Sequence, residues 1–149
     1  MWGDAEVARY IGGTPSTRGE AWGRLHRYVG HWALLDYGYW TVRERASDRF
    51  VGEVGFADFR RGLGPAFDDH PECGWALAPW AQGNGFATEA ILGALDWAVL
   101  NLQADRTVCM IHPDNQASFK VAAKCGFRPF AESTIKGAPT VLCERGLSA

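Results

Sequence analysis

The spacing of apolar and polar positions divides the chain into short elements of two kinds. Asp4 to Ile11 reads as a short helix, stopped by Gly12-Gly13 and Pro15. Thr17-Arg18-Gly19-Glu20 has the S/T-x-x-E form of a capping box and opens a second helix. On that helix Trp22, Leu25, Val29, Trp32 and Ala33 recur close to i, i+3, i+4, i+7, which predicts one inward face, used as core or as pocket lining. Tyr39 to Arg45 reads as a strand, Ala46-Ser47-Asp48 as a tight turn, and Phe50 to Phe59 as the hairpin partner. Arg60 to His70 is polar and broken by Gly and Pro, so it reads as a loop. Glu72 to Leu77 is a third strand, cut off by Pro79. Gly83 to Leu102 is a helix with Phe86, Ala90, Ile91, Ala94, Leu95 and Ala98 inward. Arg106 to Ile111 is a strand, and Asn115 to Cys125 is a helix that Gly126 terminates. Phe127 to Thr134 and Pro139 to Arg145 form a last hairpin across Lys136-Gly137.

This order predicts an α+β or α/β domain, with helices flanking a mixed central sheet. No repeat, low-complexity segment or linker interrupts it, and 149 residues suit a single domain over 1–149. Apolar residues make up 47% and charged residues 21%, as in ordinary soluble globular proteins. No apolar run is long enough to span a bilayer, and Met1-Trp2-Gly3-Asp4 does not begin a signal peptide. A net charge of −2 argues against an extended nucleic-acid surface. Cys73, Cys109, Cys125 and Cys143 form no C-x-x-C pair and lie in apolar stretches, which predicts buried reduced thiols in a cytoplasmic protein. His26, His31, His70 and His112 lack metal-ligand spacing, so no metal site is expected.

The richest chemistry lies in Gln82-Gly83-Asn84-Gly85-Phe86-Ala87-Thr88, between a strand and a helix. A helix N-terminus leaves N–H groups unpaired and carries partial positive charge, so it can hold a phosphate. Glycines let a bulky anion approach the main chain. A Walker A loop needs G-x-x-x-x-G-K-[ST], which is absent. A dinucleotide fold needs G-x-G-x-x-G/A after the first strand of a βαβ unit, whereas here Thr88 takes the third glycine's place and a hairpin precedes the motif.

The segment does match Q/R-x-x-G-x-G/A, the acyl-CoA pyrophosphate motif of the GNAT N-acetyltransferases. With it stand Thr88-Glu89-Ala90, the strand Gly74-Trp75-Ala76-Leu77-Ala78-Pro79-Trp80, Asn115-Gln116-Ala117-Ser118 and Lys124-Cys125-Gly126-Phe127. Together with Glu6 to Gly13 this constellation resembles the GNAT branch containing the ribosomal-protein N-terminal acetyltransferases (the RimJ/RimL-like group), from about Asp4 to Arg145.

The resemblance implies a GNAT acyl-CoA N-acyltransferase fold and acetyl-CoA as co-substrate. Gln82 opens the motif. The N–H groups of Gly83, Asn84, Gly85, Phe86 and Ala87 would hold the pyrophosphate, with a bond from the Thr88 hydroxyl. The backbone of Trp75, Ala76 and Leu77 would pair with the pantetheine arm, in a gap where that strand splays from Arg106 to Ile111. Asn115 would bond the pantetheine, and can also serve as helix N-cap. Many family members place a tyrosine four residues before the Gly-Phe pair; this chain has Ala122 there. The branch instead implies Ser118 as partner of the leaving thiolate, against the alternative of a helix serine bonded back to the backbone.

For the base that takes the amine's proton, Glu72 is the first candidate, because it enters the strand leading to the cofactor motif. Glu53 on the neighbouring strand is the second, and either can act through water. Both also fit a solvated or ion-paired strand carboxylate. No cysteine pairs with a His and an acid, so direct attack in a ternary complex is expected. The acceptor is a primary amine, on a small molecule or a protein N-terminus. Its side of the site is expected from Gly12 to Thr17, the Trp22 to Trp32 helix and the Arg60 to His70 loop. Asp68 and Asp69 can attract a cationic amine or form a solvated acidic turn. A non-catalytic acyl-CoA-binding module is the alternative function. The family's first strand, which would pair with Tyr39 to Arg45, is not found, and an uncovered edge favours a homodimer.

Overall fold

The computed structural model describes residues 1–147. Its elements are α1 (Ala5–Ala8), α2 (Arg18–Leu35), β1 (Tyr39–Arg43), β2 (Phe50–Ala57), α3 (Pro65–Asp68), β3 (Glu72–Leu77), α4 (Phe86–Asn101), β4 (Arg106–Ile111), α5 (Gln116–Lys124), β5 (Arg128–Ile135) and β6 (Ala138–Gly146). A single 3-10 turn, Pro79–Ala81, links β3 to the glycine loop. Six strands form one sheet in the order β1-β2-β3-β4-β6-β5. All neighbours are antiparallel except β3 and β4.

The local chemistry explains most of these elements. Thr17 and Glu20 close the capping box reciprocally, which fixes the start of α2. Lys136 and Gly137 both take positive φ at the tip of the β5–β6 hairpin, as a tight two-residue turn requires. Gly126 at φ 82 ends α5 in the left-handed region.

The register sorts side chains to two faces. Val54, Phe56, Cys73, Cys109, Ile111 and Cys143 face α4 and α5, where Ile91, Leu95, Ala98, Ala122 and Phe127 complete the main core. All four cysteines are free and buried. The opposite face carries Glu53, Gly55, Glu72, Gly74 and Ala76, which the pairing puts side by side. Phe67 of α3, Val108 and Leu142 form a smaller cluster there.

Of the residues expected on the inward face of α2, Trp32 packs inward, whereas Trp22, Leu25, Val29 and Ala33 do not. Trp22, Leu25 and Val29 are 60%, 47% and 69% exposed. The helix turns Tyr28, which the pattern did not pick out, toward the protein together with Trp32. Tyr28 stacks on Tyr39, while Trp32 packs edge-on against Trp40 and Trp97 and donates from Nε1 to the Tyr39 carbonyl at 3.0 Å. Tyr28 and Trp32 each add a hydrogen bond to their packing, to the Glu53 carboxylate of β2 and the Tyr39 carbonyl of β1. β1 pairs on one side only, and Trp32 covers part of its outer edge.

Candidate active site

The site begins where β3 and β4 part. They share one register pair, Glu72 with Val108, and run on to Leu77 and Ile111 without another. The Ala78 N–H bonds the Val51 carbonyl, so the even residues of β3 bond toward β2 and the odd ones toward β4. The backbone groups of Trp75 and Leu77 therefore face the gap, whereas Ala76 is spent on β2 and presents only its side chain. The Leu77 carbonyl accepts from Gln82 Nε2 at 3.3 Å, so Gln82 ties the loop to the strand.

At the open end of the gap the chain turns through Gln82 to Gly85 into α4. Gly83 and Gly85 hold φ 76 and 86, which glycine alone adopts without strain. A Cβ added at either would meet nothing within 4 Å, so the loop leaves open space over its amides. Gly85, not Gly83, is the N-cap of α4, and no side chain caps the helix. The first-turn N–H groups of Phe86, Ala87 and Thr88 therefore stay available, with the positive end of a helix of 16 residues behind them. The Asn84 amide turns inward onto the Trp80 and Gln82 carbonyls at 3.2 and 3.1 Å, leaving its backbone to the solvent side. This is a cradle for a phosphorylated anion, and the residues present fit the pyrophosphate of an acyl-CoA.

The N-terminus of α5 stands at the same end. Asn115 is its N-cap, with Oδ1 accepting from the Ser118 N–H at 3.1 Å. This uses one end of the Asn115 amide and leaves its NH2 free among the described residues. Ser118 Oγ makes no hydrogen bond to a described residue, so the back-bonded helix serine is not what the structure shows. Ala122 is 3% exposed in the core.

The two candidate carboxylates differ in their surroundings. Glu72 lies at the closed end of the gap, gripped by Arg61 through Nε–Oε2 at 2.6 Å and Nη2–Oε1 at 2.7 Å. Burial pushes its pKa up, and the Arg61 contact opposes this without cancelling it. Glu53 lies directly opposite Ala76, beside the open part of the gap, and is 9% exposed. Its Oε2 accepts from Tyr28 Oη at 2.8 Å and from Trp2 Nε1 at 3.0 Å. Both donors are neutral, and Oε1 accepts from none of the described residues. Burial and the Glu53 charge raise the Tyr28 pKa, while Arg24 pulls it the other way.

The segment before α2 roofs this face. The Ser16 N–H bonds the Trp2 carbonyl and closes the loop that seats Trp2 on Glu53. Further on, Tyr10 meets the ring of His112, just beyond β4, at 5.5 Å. Sequence reasoning missed Trp2, Arg24 and Tyr28 here. The only signal was that Arg24 and Tyr28 are spaced i, i+4 on one helix face. Asp68 is not a docking group for an amine, since its two oxygens accept the Arg61 and Gly64 N–H groups at 2.9 and 2.8 Å. Asp69 borders a separate open cleft of about 540 Å³ beside Asn101, at the far end of α4 from the glycine loop. Among the described residues no group of side chains could hold a metal ion, and no helix is long and apolar enough to cross a membrane.

Comparison with known proteins agrees with this geometry. Residues 1–128 match the family described as "Acetyltransferase (GNAT) domain". A solved structure described as a GnaT-family acetyltransferase from Bordetella pertussis is 34% identical, superposes with a TM-score of 0.84, and covers 95% of this chain and 84% of that one. An uncharacterized N-acetyltransferase, p20, from Bacillus licheniformis is 25% identical over 128 residues, 85% of this chain and 69% of that protein. The fold also matches spermidine N-acetyltransferase from Vibrio cholerae, solved with CoA and spermine, at 18% identity and a TM-score of 0.72, over 97% of this chain and 85% of that one. The splayed strands, the uncapped helix behind a glycine turn and the match over residues 1–128 lead to one conclusion: this chain belongs to the GNAT acetyltransferase family and is an acyltransferase with the GNAT fold.

Proposed function

We propose that the protein transfers the acetyl group of acetyl-CoA to a primary amine by direct attack in a ternary complex. The observation that carries this reading is the gap between β3 and β4, whose free backbone edge at Trp75 and Leu77 ends at the open amides of the α4 N-terminus. When bound there, acetyl-CoA supplies an activated thioester carbonyl. Gly83 to Ala87 and Thr88 hold its pyrophosphate, Trp75 and Leu77 pair with its arm, and the Asn115 NH2 bonds the arm from α5. Glu53, opposite Ala76, takes the proton of the incoming ammonium directly or through water. The amine nitrogen then attacks the thioester carbonyl, forms the new C–N bond and gives its second proton to solvent as the C–S bond breaks. Ser118 Oγ gives its proton to the departing thiolate and regains one from solvent.

Glu53 is preferred to Glu72 on geometry. Glu72 sits where the strands are still paired, and both its oxygens are bound by a guanidinium. Glu53 has one oxygen free and sits where the strands have parted. The Asn115 to Ser118 and Lys124 to Phe127 strings support a place in the RimJ/RimL-like branch, with a protein N-terminus or a small amine as acceptor. The buried thiols support a cytoplasmic setting.

The test is a thiol-release assay on the parent, Glu53→Gln and Glu72→Gln, with acetyl-CoA affinity measured alongside. Glu53→Gln should lower turnover by about 100-fold, the low end for a positioned general base, with acetyl-CoA affinity unchanged. Full turnover in Glu53→Gln would remove it from this role. A parent that binds acetyl-CoA but acetylates no amine would favour the non-catalytic module.

A further inference from the structure

Resting on that reading, we propose that the acceptor is a small zwitterion: a compound whose primary amine lies a few bonds from a carboxylate or similar anion, as in an α-amino acid. The acceptor face holds a carboxylate and a guanidinium, Glu53 and Arg24, that no ion-pair partner among the described residues neutralises and that both touch Trp2. Glu53 is held by neutral donors on Oε2 only, so no cation among the described residues pairs with it and Oε1 is free for an ammonium. Contrast Glu72, whose charge Arg61 cancels. Arg24 lies over the Trp2 ring, its Cζ 3.6 Å from the centroid, and makes no ion pair among the described residues. Trp2 thus touches both groups, donating to Glu53 by its edge and stacking Arg24 on its face. Tyr28 bonds Glu53 and feels the charge of Arg24.

Such a pair reads polarity. An ammonium at Glu53 places an adjacent anion toward Arg24, whose five donors suit a planar carboxylate. A linear polyamine would bring a second cation against Arg24. A protein N-terminus would bring a peptide group, which leaves the guanidinium without an anion. Trp2 and Tyr28 supply the aromatic surface beside Glu53, and Tyr28 is braced by its stack on Tyr39, 4.7 Å between centroids.

The experiment compares kcat/KM for thiol release with the twenty common amino acids, their α-carboxamides and a linear diamine, at saturating acetyl-CoA. At least one amino acid should exceed its carboxamide by about tenfold or more, equivalent to about 1.4 kcal/mol. Arg24→Gln should lose that preference through the acid alone, leaving the carboxamide rate within about twofold. Arg24→Lys should keep part of it, because charge without the planar fork still attracts an anion. Carboxamides or the diamine acetylated as well as the acids, a preference that survives in Arg24→Gln, or acetyl-CoA bound with no amino acid acetylated would each overturn the proposal while leaving the cofactor site intact. Absence of acetyl-CoA binding in the parent would overturn the cofactor reading, and this proposal with it.

Discussion

Replacing Gly74 by alanine tests how the acceptor face is built. Gly74 lies in β3 opposite Gly55, and the Tyr39 ring lies across this glycine-paved stretch. A Cβ at Gly74 would stand 1.8 Å from Tyr39 Oη and 3.0 Å from Cζ. Nonbonded heavy atoms settle near about 3.5 Å, so the hydroxyl must retreat by roughly 1.7 Å. The ring is not free to do this, because it stacks on Tyr28 at an interplanar angle of 10°, and Tyr28 is bonded to Glu53. Overpacking of this kind costs about 1–3 kcal/mol, which lowers Tm by roughly 3–9 °C in a domain of this size. Tyr39→Phe removes the hydroxyl and leaves only the Cζ contact, a shift of roughly half an ångström. The double variant should therefore recover most of the loss. Thermal unfolding of the parent, both single variants and the double variant gives the coupling. A Gly74→Ala protein that melts within about 1 °C of the parent, or a double variant equal to the sum of the singles, would refute the packing argument.

Gly85→Val should weaken acetyl-CoA binding by about tenfold or more while lowering stability by about 1–2 kcal/mol, since only φ strain opposes folding there and the added carbons enter the phosphate cradle; calorimetry and unfolding of one sample check both. Arg61→Gln should destabilise by about 3 kcal/mol, because it strands a buried carboxylate. The pKa of Glu72 is already raised in the folded protein, so the folded state binds the proton more tightly and stability falls as pH rises through that pKa. Without Arg61 that pKa rises further, so the loss should be smaller at pH 5 than at pH 8 in denaturant titrations; a pH-independent loss would count against it. Trp22, Leu25 and Val29 are exposed apolar residues of α2, and self-association through them should give dimers in sedimentation runs that Trp22→Glu returns to monomer.

Much of the fold was legible in the chain because its signals are local. Glu72–Leu77 and Arg106–Ile111 coincide with the expected strands, since short largely apolar segments end there shortly before Pro79 and Pro113. The capping box, the Gly126 stop and the Lys136-Gly137 turn are short-range chemistry and fell where expected. The α2 face did so only at Trp32. Helical periodicity records which residues share a side, but not which side finds a partner, and Tyr28 and Trp32 won by reaching Glu53 and the Tyr39 carbonyl. The short helix Pro65–Asp68 was hidden in a polar loop, because one turn carries too little periodicity to register. At the site, the glycine loop and Asn115 were readable because backbone geometry demands those residue types. The standing of Glu53 against Glu72 was not readable, since it turns on Arg61, Trp2 and Tyr28, which lie 11, 51 and 25 positions away from the carboxylates they bind.

The central claim is that the β3–β4 gap and the α4 N-terminus bind an acyl-CoA. Titration calorimetry of the parent with acetyl-CoA, with NADH as control, tests it most directly. The account predicts one site with a free energy of about −8 kcal/mol, micromolar binding, and no response to NADH. No heat with acetyl-CoA, or equal binding of NADH, would contradict it.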